Sequence, residues 1–196
     1  MRVAGLVKRF ERELVEASRL GPVLDVACGP GLNGLYLAGL GACVLMVDRS
    51  AEALAEAARN RRAMERKPGP ALCVQLARLD LETPEPPRFK PRSLGAVLVF
   101  RYLHRPLVPA LADALAPGGL FVYETFMFGQ AAYGKPRNPD HLLNAGEMAR
   151  WFAGYEILHH FEGHYEAPSQ FMGAIVCRKP GPAGTEASAV ASGLRA

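Results

Sequence analysis

The chain has 196 residues, 49% of them apolar and 21% charged, with a net charge of +4 and a pI near 9.0. That is the profile of one ordinary soluble domain, long enough to bury a real core and without an internal repeat. The mild basic excess permits a nucleic-acid partner without calling for one.

Residues 2 to 19 predict an amphipathic helix, with Leu6, Phe10, Leu14, Val15 and Ala17 at near-helical spacing and no secretory signal. Gly21-Pro22 ends it. Val23 to Ala27 reads as a buried strand, although Asp25 interrupts its apolar run. The turn GPGLNG follows, then a helix from Asn33 to Leu40. Ala42 to Val47 is a second strand, ending at Asp48. Ser50 is placed to cap a helix from Ala51 to about Glu65, whose buried face is Leu54, Ala57, Ala58 and Met64. Leu72 to Leu76 is a third strand, with Asp80 just beyond it.

A proline-rich loop, TPEPPRFKPR, leads to the continuous apolar strand Leu94 to Phe100. Pro106 opens a helix lined by Leu107, Leu111 and Leu115. Pro117-Gly118-Gly119 turns into a fifth strand, Leu120 to Phe126. The long aperiodic segment from Met127 to about Leu143 holds Phe128 and Tyr133, follows Phe126, and reads as a lid or substrate-binding wall. Asn144 with Glu147 resembles a capping box for a short helix through Phe152. Tyr155 to Phe161 and Gln170 to Cys177 are closing strands with no helix between them, so they pair as a hairpin.

Strands alternating with helices predict a doubly wound, mainly parallel seven-strand α/β sheet with an antiparallel C-terminal hairpin. One domain covers residues 1–178, with an N-terminal helix over 1–20, and residues 179–196 read as a disordered tail. No stretch is long and apolar enough to span a bilayer. The four cysteines have no C-x-x-C spacing, so reduced thiols in the cytoplasm are expected and zinc is not. His159 and His160 point to opposite faces of an alternating strand, which opposes a shared metal.

In an open α/β sheet the ligand lies beyond the carboxyl ends of the strands, where strand order reverses. GPGLNG fits the G-x-G-x-x-G spacing of a dinucleotide site, but a tight turn without ligand would look the same. Asp48 stands where an acid can accept from both hydroxyls of a ribose, in nicotinamide enzymes and methyltransferases alike. Asp25 separates the two. A pyrophosphate on the glycine turn would be repelled by that carboxylate, whereas a ligand with a sulfonium and an ammonium would be attracted. A purely structural acid bonded to the turn's amides is the competing reading.

VLDVACGPG resembles the first motif of class I S-adenosylmethionine-dependent methyltransferases, the Rossmann-like seven-strand family. Asp48, Asp80 in ARLDLE, and LAPGGLFVYE are similar to that family's later motifs in register. The segment YETF…GQ…GKPRNP further resembles small bacterial methyltransferases known as tellurite-resistance-like. The resemblance implies S-adenosyl-L-methionine as cofactor. It implies cofactor binding by Asp25, Ala27, Gly29, Gly31, Asp48, Arg49, Asp80, Leu81 and Phe100, with Asp48 at the ribose and Asp80 at the adenine amino group.

The acceptor is less marked. LVFRYLHRP lacks the (D/N)-P-P-(Y/F) of amino-nitrogen methylases and holds no cysteine nucleophile. Tyr102 and His104 are the catalytic candidates, His104 to take a proton or hold the acceptor. Arg101, Glu124, Gln130, Arg137 and Asn138 are the acceptor-binding candidates. A small-molecule acceptor is expected. RNA remains an alternative through the basic run Arg59, Arg61, Arg62, Arg66 and Lys67, as do a nicotinamide oxidoreductase and a non-catalytic binding module. Oligomeric state is left open.

Overall fold

Seven strands form one sheet in the computed structural model, which describes residues 2–85 and 87–181. They are β1 (Val23–Val26), β2 (Val44–Asp48), β3 (Val74–Arg78), β4 (Leu94–Phe100), β5 (Leu115–Phe126), β6 (Glu156–Glu166) and β7 (Ser169–Arg178). Their order is β3-β2-β1-β4-β5-β7-β6. Strands β1 to β5 run parallel, and β7 enters antiparallel between β5 and β6. The expected sheet and closing hairpin are both present.

Helices α1 (Gly5–Arg9), α2 (Glu11–Ala17), α3 (Leu32–Gly39), α4 (Ala51–Glu65), α5 (Val108–Ala114) and α6 (Glu147–Trp151) accompany the sheet. Two apolar clusters lie on its opposite faces, so β4 is buried on both sides and reads as an unbroken apolar run. Edge strand β6 is the most polar of the seven, and much of it is exposed.

Local chemistry sets several boundaries. Ser50 Oγ accepts from Ala53 N at 3.1 Å and starts α4. Glu147 reaches back to accept from Asn144 N at 2.8 Å, so the short helix begins at Glu147. The N-terminal helix is two helices, because Phe10 leaves helical geometry with φ −111° and ψ 24°. Strand β5 starts at Leu115 rather than Leu120: Leu115 already pairs with Leu94, and the Pro-Gly-Gly turn is absorbed as an irregularity in that ladder.

Two further expectations change. Cys43 and Cys73, expected as reduced thiols, are joined in a disulfide with Cα atoms 4.6 Å apart, because the parallel register of β2 and β3 brings them side by side. Lys179, assigned to the tail, is anchored: its Nζ donates to Ala112 O at 2.7 Å and Leu115 O at 2.8 Å. Residues 182–196 of the expected tail lie outside the described residues. No described helix is long and apolar enough to cross a membrane.

Candidate active site

Strand order reverses between β1 and β4, and a cavity of about 790 Å³ opens there. Its floor is the end of β1 and the glycine turn. Its walls are Phe100, Arg101 and Glu124 from β4 and β5, the Arg2–Leu6 segment, and the β6–β7 hairpin. A smaller cavity of about 110 Å³ lies over the ends of β2 and β3, lined by Asp48, Arg49, Asp80, Leu81 and Tyr102. Ala27 lines both, so the two cavities adjoin at that residue.

The turn that separates them is held open by backbone geometry. Ala27, Gly29 and Gly31 all have positive φ, at 50°, 54° and 75°. For Ala27 that conformation is unfavourable, the kind of strain retained at functional sites. Asp48 pins the turn from the next strand: Oδ2 accepts from Gly29 N at 2.9 Å and Oδ1 from Ser50 N at 2.8 Å. Each oxygen keeps a lone pair free for a ligand hydroxyl.

Asp25 is buried, and its Oδ2 accepts from Gly34 N at 2.9 Å. Burial raises its pKa to about 7; the Gly34 bond opposes the rise and the charge of Asp48 adds to it. At Gly34 a Cβ would lie 2.6 Å from Met46 Sδ and 3.0 Å from Asp25 Oδ2. Glycine there lets α3 sit directly on β1 and β2, so it is a packing residue.

Glu124 and Arg101 stand at the other end. Arg101 has φ 55°, and its amide donates to Glu124 O at 2.8 Å. The Glu124 carboxylate is held above its ordinary pKa by burial, against the lowering effects of Tyr165 and Arg101. Tyr165 Oη donates to Glu124 Oε2 at 3.4 Å. Burial and the Glu124 charge push the Tyr165 phenol up to about 12.

The sequence-derived candidates divide cleanly. Asp25, Ala27, Gly29, Phe100, Arg101 and Glu124 line the large cavity, and Asp48, Arg49, Asp80 and Leu81 the small one. Gly31 lines neither and packs near Met46. Tyr102 lies in the small cavity, away from the Glu124 end, with its hydroxyl buried and unpaired. His104 lines neither cavity, and its Nε2 is buried without a partner.

The loop after β5 is no wall of the large cavity. Gln130 is buried, its Oε1 accepting from Phe171 N at 2.7 Å and its Nε2 donating to Lys135 O at 3.2 Å. Asn138 accepts from Asp140 N at 3.1 Å and caps a short 3₁₀ turn, and Arg137 is exposed. These three are fastened to, or project from, a loop docked on β7.

Sequence reasoning missed Arg9, Phe161 and Tyr165, which line the large cavity. A signal existed for two of them. Phe161 and Tyr165 are four apart in a strand and so share a face. The three histidines nearby go to separate partners: His159 to Arg9, His160 to Glu162 and His164 to Ser169.

Residues 23–119 match a family model described as a methyltransferase domain. The structure is similar to TehB from Haemophilus influenzae, at 18% identity and a TM-score of 0.64, covering 89% of this chain and 65% of that one. It is similar to an S-adenosylmethionine dependent methyltransferase from Mesorhizobium loti, at 20% identity and a TM-score of 0.60, covering 84% and 95%. A third likeness is to a putative sarcosine dimethylglycine methyltransferase from Galdieria sulphuraria, at 14% identity and a TM-score of 0.64, covering 89% and 85%. No curated protein matches the sequence.

Proposed function

Because the chain carries an S-adenosylmethionine-dependent methyltransferase domain, we propose that it moves a methyl group to a small-molecule acceptor seated beside Glu124. The observation that carries this reading is the pair of cavities that adjoin at Ala27. The larger lies within the range of about 300–1,000 Å³ usual for small-ligand sites.

The residues present fit the cofactor. Asp48, with a lone pair free on each oxygen, would take the ribose hydroxyls. Asp80, Leu81 and the unpaired Tyr102 hydroxyl would hold the adenine. Asp25 and the strained backbone at Ala27 and Gly29 would hold the methionine end. When bound, the cofactor supplies an electrophilic methyl group and a neutral thioether leaving group, so no covalent enzyme intermediate is required. The chain's own work is to align the acceptor, exclude water from it, and take its proton at Glu124. The basic run on α4 lines neither cavity, which favours a small acceptor over RNA.

Calorimetric titration with S-adenosylmethionine, S-adenosylhomocysteine and NADH tests this. The first two are expected to bind, with Asp48→Ala losing both. Tight NADH binding without S-adenosylmethionine binding would overturn the reading.

A further inference from the structure

We infer that the acceptor is a small hydroxyl-bearing aromatic acid, its anion held by Arg9 and Arg101 and its ring lying against Phe161 and Tyr165. This rests on the methyltransferase reading above.

The cation balance of the large cavity is the first observation. Arg2, Arg9 and Arg101 all line it. Among the described residues none of the three forms an ion pair, whereas Arg49, Arg61, Arg105 and Arg178 each do. The polar side-chain partner of Arg9 is His159 Nδ1, at 3.4 Å. Burial first, and then Arg9 itself, hold the His159 pKa down, so the exposed guanidinium, which also lies 5.3 Å from the Phe10 ring centroid, has a neutral imidazole and, among the described residues, no protein anion beside it. A guanidinium fork without a carboxylate matches one supplied by a ligand. The cofactor's own carboxylate accounts for one of the three cations and leaves two.

Backbone strain is the second. Arg101 holds φ 55°, unfavourable for a residue with a side chain, and its amide bond to Glu124 O fixes it there. The turn presents a cation beside the half-buried Glu124 carboxylate. Ala27, on the cavity floor, is held in the same unfavourable region.

The apolar lining is the third. Phe161 and Tyr165 stack with centroids 4.8 Å apart and planes 23° from parallel. Phe100 also lines the cavity. Flat surfaces of this kind suit an aromatic body.

The chemistry balances. The acceptor's hydroxyl gives its proton to the Glu124 carboxylate. An oxygen lone pair forms the bond to the methyl carbon as the carbon–sulfur bond breaks, and that electron pair stays on sulfur. The products are an aryl methyl ether, a neutral thioether and protonated Glu124.

The experiment separates this inference from the reading beneath it. Calorimetry with S-adenosylmethionine alone comes first, and failure there refutes the enzyme assignment itself. Protein saturated with S-adenosylhomocysteine is then titrated with para-hydroxybenzoate, a dihydroxybenzoate and para-hydroxycinnamate, each beside its carboxamide. Turnover is followed by S-adenosylhomocysteine release. The acids are expected to bind about tenfold more tightly than the amides. Arg9→Gln and Arg101→Gln should each erode that preference while leaving S-adenosylmethionine affinity unchanged. Glu124→Gln should keep acid binding and lose about a hundredfold in turnover. Equal binding of amides, loss of cofactor affinity in both arginine variants, or no turnover of any acid by protein that binds S-adenosylmethionine would each overturn the inference.

Discussion

Asp25 Oδ2 accepts a hydrogen bond from the Gly34 amide at 2.9 Å, tying β1 to the first turn of α3 from inside the protein. The acid is therefore structural and cavity-facing at once. It supports the glycine turn through its buried oxygen, and it also lines the cavity. With a pKa near 7, it is about half protonated at neutral pH.

That sets a pH dependence. A bound ammonium or sulfonium favours the carboxylate, so binding releases a proton when Asp25 begins protonated. S-adenosylmethionine affinity should rise up to about tenfold per pH unit below pH 7 and level off above it. The free protein follows the opposite sign. An acid whose folded pKa is raised from 3.8 to about 7 contributes most to stability below 3.8 and loses that contribution as pH rises through 7. Asp25→Asn should therefore gain on the wild type by about 4 kcal/mol between those limits. It should also bind the cofactor weakly and without the pH slope. Melting curves and calorimetry in buffers of different ionisation heat measure both, and a pH-independent wild-type affinity would sink the argument.

Tyr102 carries a second prediction. Its hydroxyl is buried and unpaired beside Asp48, Asp80 and Leu81. Burial raises its pKa, and the Glu82 charge adds to that, so the phenol is neutral and able to donate. Tyr102→Phe removes an unsatisfied group from the free protein. Stability should rise by about 1 kcal/mol, while S-adenosylmethionine affinity falls about fivefold through the lost hydrogen bond. A catalytic role would instead lower turnover with cofactor affinity unchanged. Parallel thermal melts and titrations distinguish the two.

The sheet was legible because its strands are short apolar runs separated by glycine, proline and capping residues, and each such signal is local. The small cavity was legible for a related reason: Asp48 ends β2 and Asp80 stands two residues beyond β3, so sequence position fixes their place in the fold. The large cavity was legible only in part: Arg101 and Glu124 stand at the ends of their strands, but Arg9, Phe161 and Tyr165 come from distant segments that no spacing rule connects to them. Tyr102 and His104 sit in the right loop, but backbone geometry there turns Tyr102 toward the small cavity and leaves His104 out of both. The disulfide was invisible for the same reason, since Cys43 and Cys73 meet only through the β2–β3 register.

Gln130 supplies the sharpest contrast between a binding and a structural role. It was read from sequence as an acceptor contact, in a loop rich in polar and aromatic groups. In the fold, its Oε1 accepts from Phe171 N and its Nε2 donates to Lys135 O, closing the loop onto β7. Gln130→Met keeps the shape but leaves a strand amide and a loop carbonyl without these partners. The cost should be about 1–3 kcal/mol, read as a lower urea midpoint. Arg137→Ala, at an exposed position on the same loop, should cost almost nothing. If Gln130 instead bound the acceptor, the Met variant would keep its urea midpoint and raise KM. A shifted midpoint with unchanged KM is the outcome expected of a residue whose work is to hold the loop in place.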